Sequence, residues 1–195
     1  MRSSTKRTSL QLLAILAIAL CGCSQKSSSP FAVRGANIEH GVLAAQLDWR
    51  PSALVLDALD HGIALDFEVI VEAQGASRFG WHPKIEQVRW RRELRYFPLT
   101  RQYQMRDPDQ DAAHDAETRS YSARALLIAA ISDLRLQLPP SWSEPIAANA
   151  IERYVLRIDL LRDNLPGALR LPALIDPDWR LSTGNFTWPA TPSAG

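Results

Sequence analysis

The chain of 195 residues contains no cysteine beyond position 23. Its two thiols, Cys21 and Cys23, lie near the start, so neither a disulfide framework nor a Cys-based zinc module can organise the remaining 172 positions, 24–195. Charge of one sign is missing as well: 22 basic against 21 acidic side chains give a formal charge of +1, which excludes a strongly basic nucleic-acid binder. The four histidines, His40, His61, His82 and His114, are scattered without metal-ligand spacing. Three of them precede a glycine or a proline and read as turn or surface residues (His40-Gly41, His61-Gly62, His82-Pro83). There is no Gly-x-Ser-x-Gly elbow, no glycine-rich phosphate loop and no cysteine nucleophile in the body. No catalytic residue and no cofactor are therefore assigned, and the chain reads as a non-enzyme.

What is present is core material. Hydrophobic residues make up 46% of the chain, with six Trp, four Tyr and five Phe, enough to close one domain and too much for a disordered polymer. The start has a different character. Arg2, Lys6 and Arg7 precede an apolar run at residues 10–20 that is interrupted only by Gln11. A bilayer span needs ~20 residues, so this run fits the h-region of an export signal instead. Leu20, Cys21, Gly22 and Cys23 then resemble a bacterial lipobox. Cys23 has a branched apolar residue at −3 and a small one at −1, whereas Cys21 would place Leu20 where a small side chain belongs.

These features divide the chain into a signal at 1–22, a lipidated Cys23 with a polar tether at 23–30, one globular domain at 31–188 and a tail at 189–195. Ser24 stands where the familiar inner-membrane retention signal would be Asp, which favours the outer membrane, with the body facing the periplasm. Cleavage before Cys23 removes three basic residues and no acidic one, taking the formal charge from +1 to about −2. The expected partners are the membrane, through the lipid, and an envelope protein; nucleic acid is not one.

Alternation dominates the body. Leu43, Ala45, Leu47 and Trp49 predict a half-buried strand, joined through His40-Gly41 to a strand at 33–38. Leu54, Val55, Ala58 and Leu59 make a helical stripe that Gly62 ends. Ile63, Leu65, Phe67, Val69 and Val71 form the next strand, with Asp66, Glu68 and Glu72 on its other face. In 85–96, Val88, Trp90, Leu94 and Tyr96 share one face and Arg89, Arg91, Glu93 and Arg95 the opposite one. This predicts ion pairing with the acidic neighbour strand. Further strands are expected at 101–106, 118–121 and 154–160, and an amphipathic helix over 123–136 with Leu126, Leu127, Ala130, Ile131 and Leu134 buried. The proline-rich remainder reads as irregular or short helix, with Trp179 and Trp188 packing back. The fold class is α+β: mainly antiparallel sheet, or a sandwich, with two or three helices packed on it.

Trp81 and Trp90, then Leu94-Arg95-Tyr96 and Leu99-Thr100-Arg101-Gln102-Tyr103, resemble a bacterial envelope protein family, domain of unknown function 4390. The resemblance covers about 33–188, including 59–67 and Asp178-Trp179-Arg180-Leu181. Its most specific string is Tyr96, two residues, Leu99-Thr100-Arg101, one residue, Tyr103. It implies an exported protein, often encoded near a membrane sensor kinase of the nitrogen-regulation type and an RNA methyltransferase. It implies no catalytic residues. This chain differs from many relatives in having a lipobox rather than a plain signal.

Two further clusters have chemical character. Asp107, Asp109 and Asp111 alternate in a loop, as calcium ligands can, but Ala112 and Thr118 stand where an EF-hand loop needs Gly and Glu. The bland reading is a solvated acidic loop. Arg89, Trp90, Arg91, Arg92 and Arg95 have the composition of a phosphate-binding patch, yet strand geometry puts Trp90 and Arg92 on the face opposite the other three. Two functions from different classes fit these readings: an anchored interaction or accessory domain, or a carrier of a small apolar ligand enclosed around Phe67, Val69, Trp90 and Tyr96.

Overall fold

The computed structural model describes residues 29–77, 79–107, 118–143 and 151–190. Strand β1 (Phe31–Glu39) turns through His40 and Gly41 into β2 (Val42–Trp49). Both turn residues take positive φ, 51° and 75°, the mirror-type geometry that suits a two-residue hairpin. Arg34 and Arg50 both donate to Asp48 beside a register shift between Val33 and Gly35. Helix α1 (Ala53–Asp60) starts where Ser52 accepts from the Val55 amide and buries Val55, Ala58 and Leu59. Strand β3 (Leu65–Gln74) then pairs on one side with β4 (Lys84–Phe97) and on the other with β8 (Arg153–Leu160). Beyond β4 come β5 (Gln102–Arg106) and β6 (Thr118–Tyr121); beyond β8 comes β9 (Phe186–Pro189).

Among the described residues two antiparallel sheets form, one of three strands and one of six, so the fold is α+β. Their inner faces meet in one core. Phe31 and Trp49 from the small sheet close on Phe67 from the large one, with ring centroids 5.7–6.2 Å apart and edge-on or tilted planes. Leu43, Leu47, Leu65, Val69, Val71, Leu156 and Ile158 continue that core along the strands. Trp142 stacks on Tyr154, and Trp188 lies 5.5 Å from the same ring. Truncating one such buried aromatic costs ~3–5 kcal/mol through lost contacts and the cavity left behind.

The sequence pattern is corrected in two places. The helix expected over 123–136 ends early: α2 is Arg124–Ser132, and Asp133–Gln137 is β7, paired with β2. Leu134, Leu136 and Leu138 are all buried, a period of two that a helix cannot bury on one side. Leu126, expected inside, is 52% exposed. The segment expected to be irregular near Trp188 is strand β9, because the open edge of β8 supplies its hydrogen bonds. Helix α3 (Gly167–Ile175) lies within the same proline-rich region, and Trp179 packs into the core as expected.

Arg92 lies on the inner face of β4, where it registers with Phe67. Its Nε and Nη2 each donate to an oxygen of Asp107 at 2.7 Å, a bidentate pair with both residues buried. Removing one partner strands a charge, which costs ~3–5 kcal/mol, while an apolar pair of similar volume can be neutral. Asp107→Ala is therefore expected to lower stability in urea unfolding by about that amount. The double variant Arg92→Met with Asp107→Leu should regain most of it; a double variant as unstable as the single one would show that the pair does more than neutralise itself.

Candidate functional site

The most specific sequence string maps onto the β4–β5 hairpin. Tyr96 and Tyr103 face each other across the two strands with ring centroids 4.6 Å apart. Between them the chain turns through Pro98, Leu99, Thr100 and Arg101, and Arg101 takes a positive φ of 53°. The Thr100 hydroxyl donates to the Phe97 carbonyl at 3.4 Å. Arg95 lies over the Phe97 ring at 5.3 Å. Leu99 stands fully exposed at the tip. Gly62, at φ +80°, sits against this hairpin: a β-carbon there would meet the Tyr96 carbonyl oxygen at 3.2 Å.

Two residues that no sequence motif marks complete the cluster. The Tyr103 hydroxyl donates to Asp60 Oδ1 at 2.7 Å, and Arg124 donates to Asp60 Oδ2. One carboxylate thus joins the last residue of α1, strand β5 and the first residue of α2. Because Asp60 and Arg124 are 64 positions apart, nothing in local spacing could have paired them. Burial, then the bond to Asp60, pushes the Tyr103 phenol up to about 12. Geometrically this is a clamp: one carboxylate holding donors from two other elements.

The remaining sequence candidates are spread through the fold. Trp90 is buried in the core, whereas Trp81 is 64% exposed on the β3–β4 connection, next to a fully exposed Phe79. Leu99, Thr100 and Arg101 are at the surface. Asp107 gives both carboxylate oxygens to Arg92, and Asp109 and Asp111 lie outside the described residues, as do Cys23 and His114. Among the described residues no group of three or more His, Cys, Asp or Glu side chains could hold a metal. His61 caps α1 through its Nδ1, 2.7 Å from the Asp57 carbonyl, His40 forms the β1–β2 turn, and His82 lies 3.8 Å from Glu152. The expected ion pairing on the outer face is partial: Arg89 approaches Glu68 at 3.9 Å and Lys84 reaches Glu72 at 3.3 Å, while Asp66 accepts from Asn164. No helix among the described residues is long and apolar enough to cross a membrane.

The phenol of Tyr103 has a raised folded-state value, so its stabilising contribution is complete below about 10 and is lost as pH rises towards about 12. Near-UV titration should find late-ionising phenols, since burial also raises Tyr154. Tyr103→Phe is expected to remove one of them and to flatten the alkaline fall in stability.

No curated protein and no solved structure matches the chain. The model of one family, described as a domain of unknown function (DUF4390), matches residues 35–189, which include β2 to β9 entire and the Tyr96–Tyr103 hairpin. The chain therefore belongs to the DUF4390 family.

Proposed function

We propose that this DUF4390 protein is a membrane-anchored envelope lipoprotein whose body is a non-enzymatic interaction or accessory domain. The observation that carries this reading is the lipobox ending at Cys23, with Leu20 at −3 and Gly22 at −1, ahead of a short polar tether. Ser24 after the cysteine favours the outer membrane, with the body in the periplasm.

The interior supports interaction over carriage. Phe67, Val69 and Trp90, the side chains that a carrier would have to line with, are buried in one cluster with Phe31 and Trp49 of the opposite sheet. Tyr96 is covered in part by Tyr103. An open groove of about 270 Å³ lies along β1, β2 and β7, lined by Gly35, Asn37, Ala44, Gln46 and Arg135. Small-molecule sites usually bury most of the ligand surface in a cleft or cavity, and this groove is open to solvent along its length, so it is a poor enclosure for a lipid. The surface, by contrast, carries apolar side chains at both ends of the large sheet: Phe79, Trp81 and Ile85 at one, Leu99, Leu171, Leu174 and Ile175 at the other.

Fractionation with intact-mass measurement tests the anchor. Cys23→Ala is expected to abolish the acyl mass increment and release the protein from membranes, while Cys21→Ala leaves both unchanged. Release by neither variant would sink the lipoprotein reading. An apolar molecule co-purifying stoichiometrically in native mass spectrometry would favour the carrier.

A further inference from the structure

The strand registers define two ends of the molecule. At one end lie Leu65 of β3, Phe97 of β4 and Leu160 of β8; at the other lie Gln74, Lys84 and Arg153. Ten residues of β3 separate them, about 30 Å at ~3.3 Å per residue. The described chain begins at the first end. Ser29 Oγ donates to the Ser182 carbonyl at 3.5 Å, Ser182 bridges Asp159, and the Phe31 ring lies 5.8 Å from Phe67.

Helix α3 projects from the same place. The chain leaves the sheet after Leu160, runs through α3 and returns at Leu181, whose carbonyl accepts from the Leu160 amide at 2.9 Å. Ala173, on the inner side of the helix, is fully buried, and Arg162 holds the helix by donating to the Ala173 carbonyl at 3.3 Å. Leu171, Leu174 and Ile175 occupy the opposite side at i, i+3 and i+4, 72%, 50% and 79% exposed. The β4–β5 turn, with fully exposed Leu99, belongs to this end as well, since it comes directly after Phe97.

We infer that this end rests on the bilayer, with the Leu171, Leu174 and Ile175 face of α3 in the lipid interface. The inference deepens the lipoprotein reading and rests on it. Six residue steps separate Cys23 from Ser29, a reach of at most ~3.6 Å each, roughly 22 Å in all. A lipid on Cys23 therefore holds the Ser29 end near the membrane and cannot bring the Gln74 end, another 30 Å or so away, to it without laying the domain on its side. Of the exposed apolar side chains, those of α3 and Leu99 belong to the end that the tether reaches. The nearby exposed charges are of both signs, with Arg101, Arg170 and Arg180 against Asp163 and Asp178, so contact is mainly apolar and only weakly sensitive to salt. A nine-residue helix adds little affinity to an acyl anchor; its effect is orientation. Phe79, Trp81 and Ile85 then lie at the end away from the membrane.

The cysteine-free body supplies the test. Leu174→Cys and, separately, Trp81→Cys in the full-length lipidated protein place one fluorescent label at each end. The labelled protein is reconstituted in phosphatidylethanolamine–phosphatidylglycerol vesicles containing a spin-labelled lipid. The expected result is flotation with the vesicles, several-fold stronger lipid quenching at 174 than at 81, and little loss in high salt. Flotation with equal quenching at both positions, or stronger quenching at 81, overturns the orientation and leaves the anchor standing. Shielding of 174 from an aqueous quencher without lipid quenching means that a second copy covers the helix, and also overturns it. Failure to float removes the anchor and the inference together.

Discussion

A three-stranded sheet cannot cover a six-stranded one, and the rest of this structure depends on that mismatch. The small sheet covers the middle of the large one, where Phe31 and Trp49 meet Phe67. The inner faces of β4 to β6 and of β8 and β9 would otherwise meet water. Helix α2 fills the first gap, reaching β2, β5 and β6, and α1 packs on β4. On β8 and β9 the packing is aromatic: Trp142 stacks on Tyr154 of β8, beside Trp188 of β9. Leaving such faces wet would forfeit ~25 cal/mol for every Å² of apolar surface, which is what holds the helices and the Trp142 segment to the core.

The same mismatch explains the polar interior. Arg92 sits on the buried face of β4, and its charge is tolerated because Asp107, just past the end of β5, meets both of its donating nitrogens. Asp60 does the equivalent at the margin, tying α1 to Tyr103 and Arg124. These two carboxylates hold the helices and the hairpin to the sheet at places where apolar packing alone gives no direction, since burial is insensitive to orientation and a bidentate bond is not. The string from Tyr96 to Tyr103 thus encodes a hairpin with a paired aromatic base and an exposed tip.

Much of the architecture was legible from alternation, because a strand buried on one face repeats every two residues wherever it lies. The β1–β2 hairpin, α1, β3, β4, β5 and β8 could all be placed from such local patterns. The passage at 123–136 misled because Leu127, Ile131 and Leu134 satisfy a helical repeat while Leu134, Leu136 and Leu138 satisfy a strand repeat. Leu134 belongs to both, and the free edge of β2 decided for the strand. Arg92 could be placed on the core side from its position between Trp90 and Leu94. Its partner could not be named, since Asp107 also fitted an acidic loop.

By itself, the amino-acid order determined the periodicities, and with them the class of fold, the buried face of each strand and the hairpin turns. Those properties depend on a few neighbouring residues and on the fixed geometry of the peptide chain. Tertiary structure alone decided which strands share a sheet, that Asp107 answers Arg92, that Asp60 gathers Tyr103 and Arg124, and that α3 and the entering chain share one end. Each of these joins groups distant in sequence, and the free energy that selects them arises only when the whole core closes.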